Sequence, residues 1–301
     1  LTAGGTISIC DVQNRRLEKG FKLTRVGVTG VKKPIRIKRN GNIELICETL
    51  GCDIDVFVDL PSDQKGSHLS RNLEIIREIV DDSVREPVSG VEDLAIAICR
   101  ELLKRHEYAS VGEAHISANY FKESRTPDGK ETLEFYRLMG GALARRNGEL
   151  TKTIGVEVTG MTACPCAMES IRSSLMEKLG EELMDVPIIS HNQRNICTLM
   201  LTLPENITIE ANDLIDLVED SFSSPTYEIL KRSDEAAVVV NAHKNPKFVE
   251  DVVRDVLTRL LLRYPDLPDD TSVVVRSESE ESIHKHNAFA ERITTLGELR
   301  L

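Results

Sequence analysis

The sequence has no tryptophan, and aromatic residues make up only 4% of its 301 positions. That scarcity argues against the aromatic platforms on which single-stranded nucleic acid stacks. No run approaches the ~18 uninterrupted apolar residues of a membrane helix, so no membrane span is expected. Basic residues are in the minority: 49 Asp and Glu outnumber 38 Lys and Arg, a formal charge of −11. A general nucleic-acid binder carries a basic face, and this balance argues against one. It leaves room for an anionic small substrate gripped by a few converging cations. The opening LTAGGTISICDVQNRR lacks the basic flank and apolar run of a signal peptide, and Leu1 in place of Met is expected of a processed or trimmed terminus. Seven cysteines (Cys10, Cys47, Cys52, Cys99, Cys164, Cys166 and Cys197) are odd in number and scattered, the pattern of reduced thiols in a cytoplasmic protein.

What remains is ordinary globular composition, 41% hydrophobic and 29% charged, on a chain long enough for two medium cores. Residues 22–38 and 54–60 alternate as half-buried strands do, with Ile54, Val56 and Val58 on one face. Leu73, Ile76, Ile79 and Val80 then recur at helical spacing. A second helix follows, with Ser89 and Glu92 as a capping box and Val91, Leu94, Ala95, Ile98 and Leu102 as its stripe. Cys99 falls within that apolar helix and reads as a small core residue, whereas Cys47 and Cys52 are expected to bracket a loop. Strands resume over 111–121 and 132–139. The second half repeats the grammar: strand 152–159, helix 167–184, strand 196–203, helix 212–222, helix 246–263 and strand 271–276. In the 246–263 helix, Asn245 is the expected cap and Pro246 the first residue. The pattern predicts an α+β fold with helices layered on antiparallel sheet, in two halves, 1–150 and 151–301.

Four polar segments stand out. Cys164-Pro165-Cys166 follows a strand and opens a helix, where the helix dipole favours thiolate, the form that binds metal or attacks carbon. The C-x-C spacing equally fits two thiols at a tight turn. Ser190-His191-Asn192-Gln193-Arg194 puts an imidazole and a guanidinium in one polar loop. Ser282-Ile283-His284-Lys285-His286-Asn287 places two imidazoles two residues apart. Lys65-Gly66-Ser67-His68-Leu69-Ser70-Arg71 feeds a helix with cationic and hydroxyl donors suited to phosphate, and also fits a helix start capped by Ser70.

Taken in order with Asp11-Val12-Gln13, Leu230-Lys231-Arg232-Ser233-Asp234-Glu235 and Asn245-Pro246-Lys247-Phe248-Val249-Glu250-Asp251, these segments span nearly the whole chain. Together they resemble the GTP cyclohydrolases of the type IB/IV family, most closely the archaeal-type members of methanopterin biosynthesis. The resemblance implies two tandem tunnelling-fold units, each β-β-α-α-β-β, assembled into a homotetramer with sites at subunit interfaces. It implies an enzyme that opens the guanine of GTP at C8, expels formate and recloses the ring as a dihydropterin. A divalent metal, Fe(2+) first with Zn(2+) or Mn(2+) as alternatives, is implied at Cys164, His191, Glu235 and His284. Cys166, Glu250 and His286 are implied as further catalytic groups, with Glu250 also gripping the guanine edge. Lys65, His68, Ser70, Arg71 and Arg194 are the expected substrate-binding residues, the cations among them suited to phosphate. The long segment between Cys166 and His191 resembles the archaeal type, whose product is a 7,8-dihydroneopterin 2′,3′-cyclic phosphate rather than the triphosphate. Two other readings keep the fold: a cysteine-nucleophile nitrile reductase and a non-catalytic pterin-binding scaffold.

Overall fold

The computed structural model describes residues 12–18, 20–40, 45–179 and 188–301. Cys10, Asp11 and the end of the helix expected over 167–184 lie outside them. The architecture is mixed α+β on a large antiparallel sheet, and the chain divides into two compact units. One comprises Leu1–Ile116 with Gly140–Lys152, the other Ser117–Met139 with Thr153–Leu301.

The first unit begins with β1 (Leu23–Asn40) and β2 (Leu45–Leu60), paired antiparallel with Val26 opposite Val58 and Ile35 opposite Leu50. Alternation buries Cys52, Ile54, Val56, Val58 and Leu60 on one face of β2. The strand runs straight through Cys47 and Cys52, so the loop expected there is absent: the alternation carries on across Gly51. Helices α1 (Leu69–Arg85) and α2 (Val91–Arg105) follow, and then β3 (Val111–Arg125) and β4 (Glu131–Arg145), whose halves are shared between the two units. The hydrogen-bonded order in this unit is β1-β2-β3-β4. Each fully buried Val, Ile or Leu side chain here contributes about 1.5–3 kcal/mol.

The helix starts differ from the capping signals in the sequence. His68 caps α1 and Gly90 caps α2, so Ser70 lies inside a helix and Ser89 falls one residue too early to close a box with Glu92. The inward face of α1 also differs, because Asn72 takes a fully buried position while Leu73 is 49% exposed. Cys99 is buried as expected; its thiol donates to the Ala142 carbonyl at 3.2 Å, and burial pushes its pKa up to about 12.

In the second unit, β5 (Leu150–Ala163), α3 (Pro165–Leu179), β6 (Asn192–Pro204), α4 (Ala211–Glu219) and the short β7 (Ser224–Pro225) come first. Then come α5 (Arg232–Lys244), α6 (Val249–Arg263), β8 (Ser272–Glu280), β9 (Ala288–Thr295) and α7 (Leu296–Leu299). The strand order is β3-β4-β5-β6-β8-β9, with β7 on β5. Alternation on β6 buries Asn195, Cys197, Leu199, Leu201 and Leu203, and α6 covers the sheet with Val249, Val252, Val253, Val256 and Leu260. Gly160 is a steric necessity, since a Cβ there would lie 2.1 Å from the Phe222 ring.

Helix α6 starts at Val249 rather than Pro246, with Phe248 as the cap. The reason is that residues 245–247 are already committed. Asn245 ends α5 and donates to the Phe222 carbonyl at 3.1 Å, while the Lys247 N–H donates to Ala163 O at 3.1 Å. Asp251 then accepts the Phe248 N–H at 3.0 Å, closing the helix start.

Asp59, 4% exposed near the end of β2, binds the turn before β3 to the first unit. Its carboxylate accepts the backbone N–H groups of Ser110 (2.7 Å) and Val111 (2.9 Å) and the Ser110 hydroxyl (2.5 Å), and it pairs with Lys22 at 2.9 Å. Burial acts to raise its pKa, but these donors outweigh burial and hold it at about 2. A depressed carboxylate contributes stability that is present above its unfolded pKa of 3.8 and lost as pH falls toward about 2. Asp59→Asn is therefore expected to lower unfolding stability at pH 7 by on the order of 2 kcal/mol. In denaturation curves recorded from pH 7 to pH 2.5 the difference from wild type should narrow steadily toward the acid end.

Candidate functional site

In the first unit the Lys65–Arg71 segment leads into α1 and is held by its own backbone. Lys65 N–H donates to Arg15 O at 3.0 Å and Gly66 N–H to Gln13 O at 3.2 Å, so the Gln13 motif and the Gly66 motif meet. His68 Nε2 lies 3.2 Å from Asn14 Oδ1. Arg71 is half-buried, and its guanidinium donates to the Arg105 carbonyl at 3.0 Å. Lys65 and Ser70 are exposed. A cavity of 690 Å³ opens beside this segment, lined by Asn14, Gln64, Arg71, Lys104, Arg105 and Tyr108 together with Glu74 and Glu107.

In the second unit the sequence-distant Cys164 and His191 meet through their main chains. Cys164 N–H donates to His191 O at 3.2 Å, and the Cys164 carbonyl accepts the Ser190 hydroxyl at 3.1 Å. Cys164 lies between β5 and α3, half-buried, and its sulfur accepts the Ala167 N–H at 3.5 Å. The thiol therefore lies at the N-terminal end of α3. Cys166 is exposed in the first turn of α3. His243 braces the junction from α5, with Nε2 3.0 Å from the Ser190 carbonyl. Lys247, 8% exposed, adds to the brace by reaching the Ser221 carbonyl at 3.0 Å and Asp255 at 2.5 Å.

The other expected ligands are placed separately. Glu235 is exposed in the first turn of α5, and Glu250 in the first turn of α6. His284 and His286 stack at 5.3 Å between ring centroids, exposed in the loop joining β8 to β9. Among the described residues no three His, Cys, Asp or Glu side chains gather into a metal cluster. Two buried acceptor oxygens, Gln193 Oε1 and Glu281 Oε2, have no hydrogen-bond partner among the described residues. Gln193 lies at the start of β6, two residues from His191, and Glu281 directly follows β8, whose last residue Glu280 pairs with Arg194. A soft sulfur, an imidazole and unpartnered buried oxygens are donors that fit a borderline divalent cation.

Sequence reasoning missed a second cavity of 360 Å³ in this unit, lined by Glu134, Tyr136, Arg194, Glu219, Tyr227 and Glu280 among others. Tyr136 donates to Glu219 at 2.6 Å, and the Glu228 N–H donates to Glu134 at 3.1 Å. Burial raises the Glu219 pKa above its usual value, with the Tyr136 hydrogen bond opposing it. Among the described residues, Arg194 is the one basic residue beside the glutamates that line this cavity. The only sequence signal was a run of Glu and Tyr on otherwise apolar elements, which carries no position by itself.

A raised carboxyl pKa means that the fold prefers the protonated acid. The penalty for ionising Glu219 is absent below its ordinary value and grows as pH rises through the folded value. Glu219→Gln keeps an acceptor for Tyr136 and removes that penalty. Its melting temperature relative to wild type should rise between pH 4.5 and pH 8; a difference independent of pH would contradict the buried-acid assignment.

Comparison with known proteins agrees with these motifs. A family model described as type I GTP cyclohydrolase folE2 matches residues 9–290. A protein named GTP cyclohydrolase MptA from Methanothermobacter thermautotrophicus is 45% identical over 309 residues, covering 98% of this chain and 96% of its own. Proteins of the same name from Methanobrevibacter smithii (98% of both chains) and Methanocaldococcus jannaschii (97% and 96%) are 44% and 41% identical. Among solved structures, uricase from Arthrobacter globiformis shares the fold at TM-score 0.54 and 7% identity, over 90% of this chain and 93% of that one. Full-length matches of this identity leave one reading: the chain belongs to the type I GTP cyclohydrolase family, folE2 type.

Proposed function

We propose that this GTP cyclohydrolase is metal-dependent and converts GTP to formate, diphosphate and 7,8-dihydroneopterin 2′,3′-cyclic phosphate, at the entry to methanopterin-type pterin synthesis. The observation that carries the reading is the Cys164–His191 junction at the start of α3. On this reading Cys164 and His191 hold a divalent cation, Fe(2+) in the first instance, with Glu235 and one of His284 and His286 completing the set. When bound, such an ion supplies Lewis acidity and a water acidic enough to hydrate C8 at neutral pH.

The remaining roles belong to side chains. Glu250 accepts hydrogen bonds from the guanine edge. The histidine of the 284–286 pair that is not a ligand delivers a proton as the imidazole ring opens. Lys65, His68 and Arg71 face the phosphates. Cyclisation then needs a hydroxyl of the opened ribose chain to attack the α-phosphorus: one P–O bond forms, the α–β anhydride breaks, and diphosphate leaves as the hydroxyl proton is lost. Cations around the anhydride stabilise that departing charge. The organisation we propose is two tandem tunnelling-fold units, 1–150 and 151–301, in a cytoplasmic homotetramer with sites at subunit interfaces. The order β1-β2-α1-α2-β3-β4 supports the first unit, and β5, β6, α4 to α6, β8 and β9 support the second, with α3 inserted after β5.

Cys164→Ala is expected to abolish bound metal and formate release while the circular-dichroism spectrum stays that of wild type. Full metal occupancy in the variant would contradict Cys164 as a ligand. Product class is tested by anaerobic incubation with GTP and ferrous iron, followed by mass analysis. The cyclic phosphate with one equivalent of diphosphate is expected. A dihydroneopterin triphosphate would mean that the long Cys166–His191 segment does not report the product.

A further inference from the structure

The end of α2 carries a buried polar chain that no part of the reaction above uses. His106 is fully buried, with Nε2 2.7 Å from Asn72 Oδ1 and Nδ1 2.9 Å from the Tyr108 hydroxyl. That hydroxyl lies 2.7 Å from Ser67 Oγ, and Ser67 stands at the centre of the Lys65–Arg71 segment, 7% exposed. Desolvation, with the nearby Arg71 and His68 charges adding to it, lowers the His106 pKa to about 4, so the imidazole is neutral under physiological conditions.

A neutral imidazole donates from one nitrogen and accepts at the other. Asn72 Oδ1 can only accept, so in this amide orientation His106 carries its proton on Nε2. Nδ1 then accepts from Tyr108, and the Tyr108 oxygen accepts from Ser67. In this orientation the chain is directed from Ser67 inward, and Asn72 Nδ2 has no hydrogen-bond partner among the described residues. Ser67 is thus tied to the end of α2 and anchors the segment.

The same four residues, Arg105 to Tyr108, hold the segment at a second point through the Arg105 carbonyl, which accepts from Arg71 at 3.0 Å. Arg105 is itself fixed by Glu101 at 2.8 Å and by Glu78. Tyr108 and Arg71 both line the 690 Å³ cavity. The anchored loop and the guanidinium beside it are therefore set by one rigid helix end.

We propose that His106 and Tyr108 are positioning residues for nucleotide-phosphate binding: through Ser67 they fix the Lys65–Arg71 backbone in the geometry its donors require. The proposal rests on reading that segment as the phosphate-binding element, so the test separates the two. Steady-state kinetics with GTP and calorimetric titration with inorganic triphosphate are run on the metal-loaded enzyme and on four variants. Arg71→Ala tests the segment. Tyr108→Phe removes one oxygen from the chain, His106→Leu breaks it, and His106→Gln keeps a donor and an acceptor.

Tyr108→Phe and His106→Leu should each raise KM and weaken triphosphate binding about tenfold, with kcat falling less than about threefold. His106→Gln should recover most of that loss. If Arg71→Ala weakens binding while Tyr108→Phe only lowers the melting temperature, the chain is merely structural and the proposal fails alone. If Arg71→Ala leaves KM and triphosphate affinity unchanged, the segment is not the phosphate element and both readings fall. Tyr108→Phe, which preserves the ring volume, keeps the test informative should His106→Leu not fold.

Discussion

One main-chain hydrogen bond, from Cys164 N–H to the His191 carbonyl, brings two sequence-distant motifs of this chain together. It forms because β5 and β6 are neighbours in the sheet, so the chain that leaves through α3 must return to the same end. The bond fixes which sequence positions meet. Because side chains on a strand alternate, a slip of one residue in β6 would turn its inward set outward and bury Arg194, Thr198 and Thr202 among others in its place. The alignment is also braced from outside: Ser190 on the Cys164 carbonyl, His243 on the Ser190 carbonyl, and the Lys247 N–H on Ala163. Each of these is an ordinary hydrogen bond of about 1 kcal/mol, but together they hold the Cys164 and His191 main chains against each other at the start of α3.

Charge follows a similar economy. A protein of net charge −11 that handles a polyanion must concentrate its cations locally. Several of its arginines are engaged with carboxylates, as Arg25 is with Glu113 and Arg276 with Glu291, and such partly exposed pairs contribute little to stability. Near α1 the arrangement differs, because Arg71 is held by a neutral carbonyl, that of Arg105. The cavity around Glu134 and Glu219 has the opposite balance, with four glutamates against Arg194.

The sequence was legible where periodicity and burial agree. Ile54, Val56 and Val58 on β2 and Val249 to Leu260 on α6 all face the core as the spacing demands. Helix starts were less legible, since Ser70, Ser89 and Asn245 are good caps in isolation but tertiary bonds set the first turn elsewhere. Two elements gave no periodic signal: α5, which buries Asp234, Val238, Ala242 and His243, and β9, most of whose residues are exposed or half-exposed. The site motifs were found because their residue types are unusual together. Asn72, His106 and Tyr108 were not found, because a buried polar chain is defined by contacts between α1 and the end of α2 that no spacing encodes.

The coordination of the metal we propose tests the central claim most directly. X-ray absorption at the metal edge, on enzyme loaded anaerobically with ferrous iron, reads ligand identity without relying on turnover. We expect one sulfur scatterer, from Cys164, together with imidazole from His191 in the remaining shell. A shell of oxygen and nitrogen alone, without sulfur, would contradict the assignment of the Cys164–His191 junction as the metal centre.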